Sequence, residues 1–168
     1  EIDGHFPNHH PNPADPETLA LLRAEVANRN ADIGIGFDGD GDRIGVVDAK
    51  GRQVPGDLLT AYLSKEVANR HPNAPILLDV KSSDIAIGLL EAYGAAPQIW
   101  KTGHSHMKKR MKETGAPLAG EMSGHIYIAD DYLGFDDAIY ASLRVIKQMV
   151  ETGHSITAFM DSLPQQHA

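Results

Sequence analysis

The sequence predicts an α/β protein: a three-layer α/β/α domain over residues 53–168, preceded over residues 1–52 by part of a domain of the same type. Short apolar runs alternate with amphipathic stretches at the spacing of βαβ units, which predicts the layered domain. The first 52 residues supply only a helix and two strands, too few for a free-standing sheet. The chain also opens at Glu1, without methionine, and is expected to be a piece of something longer.

The elements follow in order. Glu1 to Pro16 carries four prolines and three histidines and is expected to be a loop, either ordered against a neighbouring site or exposed to solvent. Glu17 to Asn28 predicts a helix, with Asp15 as cap, Pro16 in the first turn, and Leu19, Leu22 and Val26 on one face. Ala31–Phe37 and Arg43–Asp48 predict two strands, and Lys50-Gly51 a turn. Asp57 is expected to cap a helix over Leu58–Asn69. Strands are predicted at Pro75–Val80, Pro97–Lys101, Leu118–Gly120 and His125–Ala129, with Trp100 buried in the second of these. Helices are predicted at Ser83–Tyr93, Ser105–Thr114, Phe135–Glu151 and Ser155–Ser162, with Gly94 and Gly115 as stops.

Composition narrows the function. Hydrophobic residues make up 42% of the chain and charged residues 23%, values ordinary for a globular domain. A net charge of −8 argues against nucleic-acid binding, which needs a basic face. No apolar run approaches the roughly 20 residues of a membrane helix, so no membrane partner is expected. There is no cysteine and hence no disulfide; cytoplasm is the expected location. Within the basic run Lys108, Lys109, Arg110 and Lys112, a solvated helix face is the simplest expectation, and Met107 and Met111 are expected to pack inward.

The stretch Ile33–Val47 carries the chemistry. Asp38, Asp40 and Asp42 alternate with Gly39 and Gly41 between two apolar runs. On a regular strand the three carboxylates share one face and repel; the glycines let the backbone curl and converge them. Convergent carboxylates call for a cation, and oxygen-only ligands select a hard one, such as magnesium, calcium or manganese. An EF-hand loop is excluded, since its sixth and twelfth positions fall on Arg43 and Ala49 and its flanks are strand formers. A metal-free polar turn is the plainer alternative. His5, His9 and His10 are poor candidates beside so hard a site.

Three polar loops follow strands, where α/β sheets gather ligands: Lys81-Ser82-Ser83, Thr102 to His106, and Gly120 to His125. Together they offer an ammonium, hydroxyls, imidazoles and a carboxylate, which suits a hydroxyl-rich anionic ligand. Each loop alone is equally well explained by capping or turn formation.

Taken together, FPNHHPNP, FDGDGDR, DVK, KTGHSHMKKRMKETGA, GEMSGH and GFDDAIYA resemble the α-D-phosphohexomutase family over nearly the whole chain. The resemblance implies a three-layer α/β/α phosphohexomutase-type domain, the sugar-recognition domain 3, preceded by a partial domain of the same type, the metal-binding domain 2. It implies an isomerase that interconverts hexose 1-phosphate and hexose 6-phosphate through a phosphoserine and a bisphosphorylated sugar. Asp38, Asp40 and Asp42 would hold Mg2+, and Arg43 would reach phosphate or sugar beside it. Glu121 and Ser123 would hold sugar hydroxyls. Lys81, His104 and His125 would line the cleft in acid/base or phosphate roles that the sequence does not divide among them. The family's nucleophilic serine loop and its domain 4 phosphate loop have no counterpart here. Ser105-His106 is a chance echo of the former, so the chain alone is expected to be inactive without domains 1 and 4. A non-catalytic module binding metal or sugar phosphate is the alternative from another class. Within the family, Met122 in GEMSGH resembles the mannose/glucose enzymes, not the phosphoglucosamine mutases, which usually carry GEQSGH.

Overall fold

In the computed structural model, which describes residues 3–164, two sheets lie on either side of Pro55. The expected loop from Glu1 is therefore described only from Asp3, and the second domain only to Pro164; Glu1, Ile2 and residues 165–168 lie outside. A 3-10 turn, Pro16–Leu19, precedes helix α1, Ala20–Arg29, because Asp15 caps the turn and accepts from the Glu17 amide. Strand β1, Ile33–Phe37, runs antiparallel to β2, Ile44–Asp48, around the aspartate loop. A short β3, Gln53–Val54, adds to β2, so this sheet continues past residue 52.

The second sheet has the order β5-β4-β6-β7, with β4 (Pro75–Asp79), β5 (Ala96–Trp100), β6 (Leu118–Gly120) and β7 (Ile126–Ile128). β4 runs parallel to β5 and β6, and β7 closes the sheet antiparallel to β6. Successive strand residues point to opposite faces, and the core divides accordingly. Ile76, Leu78, Leu118, Ile126 and Ile128 join residues of α2 (Gly56–Arg70), α3 (Asp84–Ala92), α5 (Ala138–Thr152) and α6 (Ile156–Ser162). Leu77, Ala119 and Tyr127 face Met107 and Met111 of α4 (His104–Thr114) on the other side. This is the expected three-layer α/β/α arrangement, and the two methionines pack inward as expected.

β2 makes the link between the sheets. Val47 packs under α1, while Ile44 and Val46 enter the larger core with Leu59 and Ala141. Gly124, at φ +96°, sits so close to Ile44 that a Cβ would fall 2.5 Å from the Ile44 carbonyl oxygen. Only glycine combines that backbone with that approach. Gly124→Ala is expected to cost about 1–3 kcal/mol of stability, read as a lower urea midpoint; an unchanged midpoint would remove this contact from the account.

Two expectations are corrected. Asp57 does not cap α2: Pro55 holds the cap position, and Asp57 lies in the first turn with its carboxylate accepting from the Ser83 amide (2.8 Å) and hydroxyl (2.7 Å). It ties α2 to the start of α3. Trp100 is only half-buried because it ends the edge strand β5, and the Arg110 guanidinium covers its ring at 4.6 Å.

Candidate active site

The aspartate loop is built by Asp38. Its Oδ1 accepts from the amides of Gly41 (3.0 Å), Asp42 (3.1 Å) and Arg43 (3.2 Å), with Gly41 at φ +76° completing the curl. The three carboxylates of Asp38, Asp40 and Asp42 converge, each offering an oxygen within 4.8 Å of the others. Burial raises the Asp42 carboxyl above its ordinary range; His125 pulls the other way, and Asp38 and Asp40 add to the push. Burial works upward on Asp38 too, but the Arg43 side chain and amide, with the Asp42 side chain, outweigh it and hold that carboxyl low. An all-oxygen set under mutual repulsion fits a hard divalent cation.

Arg43 folds back on this loop: its Nε donates to Asp38 Oδ2 at 2.7 Å and its Nη1 to Asn12 Oδ1 at 3.1 Å. Asn12 belongs to the N-terminal loop, whose Pro13 and Ala14 carbonyls accept from Gln53. The later half of that loop is thus ordered against the site, while His5, His9 and His10 stay exposed. Among the described residues none of these histidines joins a cluster with metal-ligand geometry.

Buried carboxylates hold the three polar loops together. Asp79, at the end of β4, accepts from Ser82 Oγ (2.9 Å) and Thr102 Oγ1 (3.1 Å), joining the loops that carry Lys81 and His104. Glu121, 2% exposed, accepts from the Gly103 amide (3.2 Å) and from Tyr127 Oη (2.8 Å), with Ser123 Oγ 3.5 Å from its second oxygen. Burial, then Glu121, pushes the Tyr127 phenol up, so it stays a donor across the working pH range. The Glu121 loop in turn meets the aspartate hairpin. The Ile44 amide donates to the Gly124 carbonyl at 3.0 Å, Arg43 and His125 pair as an antiparallel bridge, and the Ala138 amide donates to the Gly41 carbonyl at 3.0 Å.

Of Lys81, His104 and His125, His125 lies against the aspartates, with Nδ1 3.7 Å from Asp42 Oδ1. Lys81 and His104 are exposed on the neighbouring loops. A cavity of about 370 Å3 between the two sheets is lined by Lys81, Ser123 and Pro13 but by none of the three aspartates. The site is therefore an open face, with the aspartates and His125 grouped and Lys81 and His104 at its margin. Sequence reasoning missed Asp79, Tyr127 and Asp136; Asp79 and Asp136 stand in the quoted DVK and GFDDAIYA segments, where an acid beside a polar loop is the available signal. The basic run is not uniformly solvated either: Lys108 reaches Asp136 at 2.8 Å, while Lys109 and Lys112 are exposed.

Residues 55–167 match "Phosphoglucomutase/phosphomannomutase, alpha/beta/alpha domain III", and residues 1–51 match domain II of the same family. The chain belongs to the phosphoglucomutase/phosphomannomutase family. It is 52% identical over 147 residues to the phosphomannomutase/phosphoglucomutase of Pseudomonas aeruginosa, covering 88% of this chain and 32% of that protein. It is 42% identical over 165 residues to a phosphoglucomutase of Neisseria gonorrhoeae, covering 98% and 36%. A crystal structure of a phosphoglucomutase/phosphomannomutase family protein from Burkholderia thailandensis superposes with a TM-score of 0.93 at 42% identity, covering 99% of this chain and 36% of that one. The chain thus spans about a third of the length of the relatives it matches. Among the described residues no helix is long and apolar enough to cross a membrane.

Proposed function

We propose that this chain supplies the metal loop and the sugar-recognition loops of a cytoplasmic phosphohexomutase that interconverts the 1- and 6-phosphates of mannose or glucose. It divides into a domain 2 portion, residues 1–52, and a domain 3 portion, residues 53–168. The observation that carries the reading is the convergence of Asp38, Asp40 and Asp42 within 4.8 Å, fastened directly to the loop of Glu121, Ser123 and His125. Asp38, Asp40 and Asp42 are the Mg2+ ligands. Magnesium held there supplies positive charge against the phosphoryl oxygens, the main requirement of phosphoryl transfer.

The remaining roles follow from placement. Glu121 and Ser123 accept and donate to sugar hydroxyls, with Tyr127 and Gly103 fixing the carboxylate beforehand. Arg43 exchanges Asp38 or Asn12 for a phosphate oxygen, which a guanidinium grips in two-pronged fashion. Lys81 and His104 steer the far phosphate from the margin. His125, beside Asp42, takes the proton of the attacking sugar hydroxyl as the phosphoryl group leaves a serine oxygen, and that oxygen takes up a proton in turn to become the serine hydroxyl. That phosphoserine, and the grip on the far phosphate, belong to domains 1 and 4 of a longer polypeptide. Met122 and the 52% identity to the Pseudomonas enzyme favour the mannose/glucose branch over phosphoglucosamine. A non-catalytic binding module is not favoured, because the similar proteins are named as mutases.

Two results test this. This chain alone, given glucose 1-phosphate, is expected to form no glucose 6-phosphate; turnover without a phosphoserine would overturn the reading. Added MgCl2 is expected to raise its melting temperature, by about 1.4 kcal/mol of added stability at ten times Kd. The same titration on Asp40→Asn is expected to give a much smaller shift, and equal shifts would remove Asp40 from the ligand set.

A further inference from the structure

Asp136 and His125 hold two polar atoms that are both sealed from solvent and both without a hydrogen-bond partner: Asp136 Oδ2 and His125 Nδ1. They lie 3.1 Å apart, close enough for a bond but off its angle. A buried carboxylate oxygen left without a donor is costly, and turning the imidazole so that an Nδ1–H meets Asp136 satisfies both atoms. Asp136 itself is firmly held. Its side chain is 6% exposed, its other oxygen takes the Lys108 ammonium at 2.8 Å, and its backbone bridges Tyr127. On its C-terminal side Asp137 caps α5 through the Tyr140 amide, and Ala138 is tied to Gly41 of the aspartate loop. The imidazole ring lies nearly parallel to Tyr127, at 21° and 6.3 Å between centroids. The His125 side chain keeps 16% exposure while its Nδ1 is buried.

We propose that Asp136, braced by Lys108, is a positioning residue that fixes the His125 imidazole with its proton on Nδ1 and its Nε2 lone pair on the ring edge away from Asp136 and Asp42, free to meet a ligand. A neutral imidazole carries one N–H, and the group facing one nitrogen decides which nitrogen keeps it. A carboxylate only accepts, so Asp136 draws the proton to Nδ1 and leaves Nε2 free to receive one from a sugar hydroxyl. Asp42 Oδ1, at 3.7 Å from the same nitrogen, is the weaker partner. Asp42, His125 and Asp136 also have the spacing of a metal site, but the Lys108 ammonium already on Asp136 sets a positive charge against any second cation. The catalytic consequence rests on the mutase reading; the orientation of the ring does not.

The test is the tautomer of His125, read from imidazole nitrogen shifts in 15N-histidine-labelled chain at mildly alkaline pH. The wild-type chain is expected to carry Nδ1–H. Asp136→Asn is expected to reverse it: Lys108 favours the amide oxygen, which leaves the amide nitrogen to donate to Nδ1. Asp42→Asn is expected to leave it as in the wild type. A wild-type Nε2–H form, reversal by Asp42→Asn in place of Asp136→Asn, or Zn2+ drawing both nitrogen and carboxylate into coordination would each overturn the proposal. In the complete polypeptide, Asp136→Asn is expected to lower kcat about 10²- to 10⁴-fold with KM for glucose 1-phosphate little changed. An unaltered kcat would overturn the positioning role. Loss of turnover in the wild-type polypeptide itself would instead fault the mutase reading and leave the tautomer result standing.

Discussion

Asp40→Asn is expected to lower hexose-phosphate turnover of the complete polypeptide about 10²- to 10³-fold while leaving the fold intact. The two halves of that expectation come from different features of the loop. Asp40 is exposed, so its substitution falls among surface changes that typically move stability by less than about 0.5 kcal/mol. Asp38 is different, because its Oδ1 gathers three backbone amides and its loss would dismantle the loop. Asp40 therefore separates metal charge from loop structure, which Asp38 cannot. Replacing a carboxylate by an amide removes one unit of negative charge from a hard-cation site and weakens the hold on magnesium. Raised magnesium is expected to recover part of the rate. A variant with wild-type turnover at low magnesium would remove Asp40 from the mechanism.

Glu121→Ala is the second large effect, and it is expected to appear in both stability and catalysis. Glu121 is a buried carboxylate on which the Tyr127 hydroxyl and the Gly103 amide converge. Truncation leaves both donors without an acceptor, at roughly 1–3 kcal/mol each, so unfolding is expected to become easier by about 2–6 kcal/mol. The same loss frees the Thr102–His104 loop from the Gly120–His125 loop. In the complete polypeptide kcat/KM for glucose 1-phosphate is expected to fall at least about 10- to 100-fold, with the magnesium requirement unchanged. Tyr127→Phe serves as the comparison: it removes one donor but keeps the carboxylate, and is expected to cost about 1 kcal/mol with a smaller kinetic loss. Equal effects from the two variants would mean that Glu121 acts only as a partner for Tyr127.

The elements of the fold were legible because their signals are local. The glycine alternation announced the curled aspartate loop, and βαβ spacing announced the second sheet and its helices. Errors arose where a local rule met a neighbour distant in sequence. Asp57 has the composition of a cap, but Ser83, 26 residues away, claims its carboxylate. Trp100 has the hydrophobicity of a core residue, but the sheet order puts its strand at the edge. The site divides in the same way. The three aspartates declare themselves by spacing, and Glu121, Ser123 and His125 by a compact motif. Asp136 and Lys108 meet across 28 residues, and the pairing of Asp79 with Thr102 spans 23. No spacing rule reaches those contacts, because the packing of α4 against the turn before α5 creates the first and the parallel pairing of β4 with β5 the second.

The claim that this aspartate loop serves transfer of a phosphoryl group between the ends of a hexose is tested most directly by 31P NMR. Glucose 1-phosphate is followed with the complete polypeptide, first with magnesium and then after chelation by EDTA. The expected result is conversion to glucose 6-phosphate that stops on chelation and resumes when magnesium is restored. Conversion at the same rate in EDTA, or release of inorganic phosphate in place of glucose 6-phosphate, would contradict it.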